Sequence, residues 1–152
     1  MAEENNLKLI QEKIEKLFKL LEVDAKIDVS EGDEAFTVAI DAGDNNALLI
    51  GKHGNTLSSL EYILYILAGK DLPEGKRLYI EIGGYREERE SYLTDLASRL
   101  KEEVISTGVE KTVRGLKPWE RRLVHMSLAE DSEVTTESMG EDRDRVLIIK
   151  KK

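Results

Sequence analysis

Two short stretches of the sequence carry side chains whose types and spacing suit them to hold an anion. In LLIGKHGNTLSSL, residues 48–60, Gly51 and Gly54 bracket Lys52 and His53. Glycines on both sides let a backbone approach a ligand where any Cβ would obstruct it, and a helix starting near Asn55 would aim unpaired N–H groups and a partial positive charge at the loop. That combination suits phosphate. It does not suit nucleotide hydrolysis, because GKHGN lacks the G-x-x-x-x-G-K-[ST] spacing of a Walker loop. The second stretch, PWERRLVH, sets Arg121 and His125 four residues apart. On a helix the two share a face, where a guanidinium fork and an imidazole can converge on one phosphate. Arg122 and Lys117 add positive charge nearby. Taken alone, each motif also fits a plain structural role: GKHG as a tight turn between helices, Arg121 as a solvated side chain, His125 at the edge of a core. Trp119, beside Leu123, reads as core more readily than as a stacking platform.

The elements that must position these residues follow from hydrophobic spacing. Leu7, Ile10, Ile14, Leu17 and Leu21 recur at helical intervals. AKIDVS and AFTVAIDA alternate like strands, and the EGDE between them supplies turn chemistry, so a hairpin is expected. A short helical turn over 45–50 leads into GKHG, and Leu57, Leu60, Leu64 and Leu67 then mark a helix closed by Gly69. KRLYIEI forms a third strand. The order is α-β-β-α-α-β. Gly83-Gly84 ends that pattern and marks the expected domain boundary, giving domains over 1–83 and 84–152. Beyond it, Tyr92, Leu96, Leu100 and Val104 give a long helix its buried stripe, VEKTVRGL can form a strand, and Pro118 suits the first turn of a helix. VTTESM and RVLIIKK supply two further strands, so the second unit reads α-β-α-β-β. The fold class is α+β, with a small three-stranded sheet packed on helices in each domain.

Composition bounds the chemistry. With 152 residues, 36% charged and 40% hydrophobic, the chain is globular, in two small domains. It has no cysteine, which excludes disulfides and thiolate metal sites and fits a reducing compartment. MAEENNLKLIQEK lacks the basic start and apolar core of a signal peptide, so a cytoplasmic protein is expected. The formal net charge of -8 opposes nucleic acid, but the acid is concentrated early, with 6 basic against 13 acidic residues over 1–69. Residues 111–152 hold 10 basic against 8 acidic, and within 111–125 five basic residues face the single acid Glu120. Local potential, not the total, decides what a small face attracts. Two histidines and the absence of H-E-x-x-H or G-x-S-x-G leave no catalytic residue to name, and no metal, cofactor or small-molecule substrate is expected.

In this context the motifs resemble known domains. LIGKHGNTLSSLEYIL is similar to the I-G-x-x-G-x-T-L-x-x-L signature of the KH domain of the second topological type. That resemblance implies a GxxG loop clamping about four nucleotides of single-stranded nucleic acid. Gly51 and Gly54 would allow close approach, Lys52 and His53 would line the sugar-phosphate path, and bases would lie in a groove floored by Ile50 and Leu57 and walled by Val38 and Ile40. The run from LKPWERRLVH to RVLIIKKK resembles the R-3-H domain, which implies nucleic-acid contacts from Arg121, His125, Arg122 and Lys117, to RNA or single-stranded DNA. The two in series resemble the bacterial Jag family of SpoIIIJ-associated proteins, also called KhpB or EloR, over nearly the whole sequence. Many members carry an additional N-terminal Jag-N domain, to which nothing here corresponds. The family resemblance implies single-stranded RNA binding and post-transcriptional regulation linked to cell elongation, division or sporulation. It also implies a partner KH protein or a homodimer, and an indirect link to a membrane insertase. The competing expectation is a protein-interaction or dimerisation module whose KH unit no longer binds RNA.

Overall fold

The computed structural model describes residues 2–152, Ala2 by its backbone alone. The chain divides into two compact units, residues 1–86 and 87–152. The first contains α1 (Ala2–Leu20), β1 (Lys26–Glu31), β2 (Ala35–Asp41), α2 (Asn46–Ile50), α3 (Asn55–Ala68) and β3 (Arg77–Ile82). The expected hairpin forms: β1 and β2 pair antiparallel with Val29 opposite Val38. The backbone N–H of Gly32 closes the turn on the Ala35 carbonyl at 2.8 Å. β2 also pairs with β3, in parallel, with Val38 beside Ile80, so β2 is the central strand. Side chains alternate across a strand, so Phe36, Val38 and Ile40 share one face with Leu78, Ile80 and Ile82. That face packs on Ile10, Ile14 and Phe18 of α1 and on Leu57, Leu60, Leu64 and Ala68 of α3.

The second unit holds most of α4 (Tyr85–Thr107), then β4 (Lys111–Val113), α5 (Pro118–Leu128), β5 (Val134–Met139) and β6 (Val146–Lys151). Its sheet runs β4-β6-β5, antiparallel throughout. Val134, Leu147 and Ile149 pack on Leu93, Ala97 and Val104 of α4 and on Val124 and Leu128 of α5. Pro118 opens α5, where a missing N–H costs nothing.

Helix phase departs from expectation in three places. Leu21 lies just past the end of α1 and is exposed, and Phe18 fills the core in its stead. Leu67 faces outward while Ala68 is buried, because the step from Leu64 to the core face is four residues, not three. On α4 the buried stripe runs through Leu93, Ala97 and Val104, with Leu96 and Leu100 half-buried beside it. Tyr92 is exposed instead, with the Arg89 guanidinium 5.2 Å from its ring centroid. Near the expected boundary, Gly83 and Gly84 end β3 at positive φ. The compact units part slightly later, after Arg86, because Tyr85 packs against the first core and Arg86 lies 4.8 Å from the Tyr79 ring and 3.9 Å from Glu61.

Candidate nucleic-acid interface

The GKHG loop is set up by a polar corner at the end of β2. Asp41 Oδ1 accepts hydrogen bonds from the Gly43 N–H at 2.9 Å and from Asn46 Nδ2 at 3.3 Å, and Asn46 Oδ1 accepts from the Ala42 N–H at 2.7 Å. The bonds from Gly43 and then Asn46 hold the Asp41 carboxyl below its usual range. This corner aims α2 so that its end, Ile50, delivers the chain into Gly51.

Both glycines are required by the loop itself. Gly51 has φ +71 and ψ −175, a region open essentially to glycine alone. A Cβ there would stand 2.2 Å from Thr56 Oγ1. Gly54 is left-handed at φ +73, and a Cβ on it would meet the Tyr85 ring at 2.8 Å. The space freed by the glycines is thus filled by Thr56 and Tyr85 from within the protein. Between them, Lys52 and His53 are exposed, and His53 is itself left-handed at φ 52 and ψ 30. Gly54 caps α3 without a side-chain bond to its first turn, so that turn presents backbone N–H groups and the positive end of a helix dipole beside two cationic-capable side chains.

Of the residues expected to form a groove beside this loop, most are covered in the chain itself. Val38 is 0% exposed, Ile40 2% and Leu57 7%, so these three are core residues. The cause is the central position of β2: helices cover the face that carries its even-numbered side chains, and both of its edges are paired. Thr37, Ala39 and Asp41 point to the opposite face of the sheet. Ile50, the fourth of the expected set, is half-buried against the core.

On α5 the expected basic residues share one region but not one contact. Arg121 is half-buried, and its Nη1 donates to the Leu116 carbonyl at 2.6 Å. Arg122 and His125 are exposed, and His125 Nδ1 is hydrogen-bonded to Thr136 Oγ1 on β5, which leaves Nε2 as the ring nitrogen directed away from that bond. Lys117 caps α5, and Trp119 is half-buried in its first turn. Sequence reasoning missed Thr136, which sits across the sheet register, and Tyr85, whose packing on Gly54 joins residues far apart in the chain. It also passed over Glu120, although a glutamate three residues after a helix cap is a capping-box signal. Among the described residues, no cluster of His, Cys, Asp and Glu could hold a metal ion, and no helix is long and apolar enough to cross a membrane.

Comparison with known proteins accounts for both units. Residues 8–82 match the KH domain of KhpA and KhpB, and residues 91–151 match the R-3-H domain. In this order of domains the chain is similar to the Jag family. Curated relatives share its sequence over most of this length: a protein named RNA-binding protein KhpB from Clostridium symbiosum is 33% identical over 127 residues, 84% of this chain and 57% of the relative. Proteins of the same name from Lactiplantibacillus plantarum and Bacillus subtilis are 33% and 31% identical, over 86% and 72% of this chain and 40% and 54% of their own lengths. The chain therefore spans about half the length of the curated relatives it matches.

Proposed function

We infer that this chain binds single-stranded RNA through the GKHG loop and the first turn of α3, with a second contact from α5. The observation that carries the reading is the loop: two exposed side chains, Lys52 and His53, held beside the N-terminus of α3 by glycines that the protein's own packing demands. Such a loop grips sugar-phosphate, and bases must be unstacked to be read. No residue has a catalytic role in this reading. In the cell the chain acts in the cytoplasm as a post-transcriptional regulator of elongation, division or sporulation, in keeping with the family it resembles. Crosslinking in cells followed by sequencing of bound RNA tests this directly. Recovery of no RNA above background, in a strain where the protein is expressed and folded, would remove it.

A second reading, association through α3 with another KH domain, rests on a separate observation. Tyr62 is 66% exposed and Ile66 56%, and Ile63, Tyr65 and Leu67 are also exposed on the same helix. The one charged residue of α3, Glu61, is engaged elsewhere, accepting the Ile80 N–H at 2.9 Å along the open edge of β3. An apolar helix surface of this kind marks an interaction site more often than a solvated face. A second copy of this chain or a smaller KH protein is the occupant that the family resemblance supports. Sedimentation of the purified chain across a concentration series tests the homodimer, and a constant monomer mass would restrict the surface to a different KH protein.

A further inference from the structure

Glu120 is the buried charge of the second unit: its residue is 1% exposed, on the first turn of α5. Its Oε1 accepts from Arg89 Nε at 2.8 Å, and its Oε2 accepts from the backbone N–H of Lys117 at 2.9 Å. Arg89 is itself mostly covered, with 14% of its side chain exposed, and its guanidinium lies over the Tyr92 ring. A carboxylate removed from water is retained only where it is paired and hydrogen-bonded. Both oxygens of Glu120 meet that condition.

The N–H of Lys117 and the carbonyl of Leu116 belong to one peptide group. That group is planar, and in the trans form its N–H and C=O point in opposite directions. Glu120 holds the N–H end. The carbonyl end receives Arg121 Nη1 at 2.6 Å. Fixing one end of the plane therefore fixes the other, and with it one edge of the Arg121 guanidinium. A guanidinium has further N–H donors in a rigid fork, so an anchored edge leaves the rest oriented. We propose that Arg89 and Glu120 are positioning residues for Arg121: their buried ion pair sets the Leu116–Lys117 peptide plane, whose carbonyl orients the guanidinium toward RNA phosphate. This rests on the reading that Arg121 meets phosphate. It also gives the start of α4 a task, since Arg89 meets the single acid in the basic run of 111–125.

The test uses the full chain and a single-stranded oligouridine, with affinity measured over a salt series. Each phosphate that the protein ceases to neutralise on a single strand lowers the log-log salt slope by about 0.7. Arg121→Ala should lower the slope by that amount. Glu120→Gln should do the same, and the double variant should lose no more than either single one, because both act on one contact. A role for Glu120 in stability alone would instead give additive losses, or weaker binding with the slope unchanged, and either result overturns the proposal. If Arg121→Ala leaves the slope as it is, the phosphate reading of α5 fails first and the positioning role with it. Should Glu120→Gln lose helical circular dichroism, Arg89→Lys replaces it: the charge opposite Glu120 stays, the Nε geometry goes, and a smaller reduction in slope, confined to chains that retain Arg121, is expected. An undiminished slope in Arg89→Lys counts against the proposal.

Discussion

At the scale of single residues, the GKHG loop separates stability from recognition. The glycines answer to packing and the residues between them to ligand. Gly51→Ala should destabilise the first unit by about 1–3 kcal/mol, since it combines a glycine-only backbone conformation with a Cβ pressed onto Thr56. Urea denaturation followed by circular dichroism reads this, and an unchanged midpoint would show that the loop relaxes freely. Replacing Lys52 and His53 together by Asp should do the reverse. Aspartate tolerates the left-handed backbone seen at position 53, so the fold should hold while two negative charges repel phosphate. RNA affinity should fall about tenfold or more at low salt. A doubly substituted chain that binds normally would move the RNA contact away from this loop.

At the scale of elements, two features sit where a helix or strand meets its neighbour. Asp131, between α5 and β5, pairs with Lys101 of α4, and its Oδ1 also accepts the Glu133 and Val134 N–H groups at 2.8 and 3.2 Å. The pairing with Lys101, and then the Glu133 N–H, hold its carboxyl below the ordinary aspartate range. A carboxyl whose pKa is lower folded than unfolded stabilises the fold above its unfolded value, and that contribution is lost as pH falls through the folded one. Asp131→Asn should therefore melt earlier than the parent chain near neutral pH. The gap should close below about pH 4. A gap independent of pH would mean the amide fails for steric reasons. The second feature is the outer surface of α3. Ile66→Glu changes an exposed position, so its effect on the melting temperature should be small, yet a charge at the centre of an apolar contact should abolish any self-association seen in sedimentation. Dimers that survive Ile66→Glu would place the interface on another element.

At the scale of the whole molecule, the net charge of -8 sets the working conditions. Phosphate contacts must act against an overall repulsion, so binding should weaken linearly in log-log form as salt rises and should favour single-stranded RNA over a duplex of the same sequence. Equal affinity for the duplex would exclude a loop that grips unstacked strands. The order of elements, the two sheets and the position of both motifs were legible in the sequence, because each depends on local signals: alternation in KRLYIEI, helical spacing from Leu57 to Leu64, Pro118 at a helix start. GKHG and PWERRLVH likewise announced themselves, since the residues of each lie within a few positions of one another. What the sequence could not supply were relations between distant positions. Whether Val38 and Ile40 wall a groove or fill a core depends on which face of a central strand the helices cover. That Tyr85 occupies the space beside Gly54, that Thr136 holds His125, and that Arg89 neutralises Glu120 are each contacts between residues 11 to 31 positions apart. Local propensity carries no information across such separations. Tertiary packing decides them, because a buried charge, a missing Cβ or an imidazole must find its complement in whatever element the fold brings alongside.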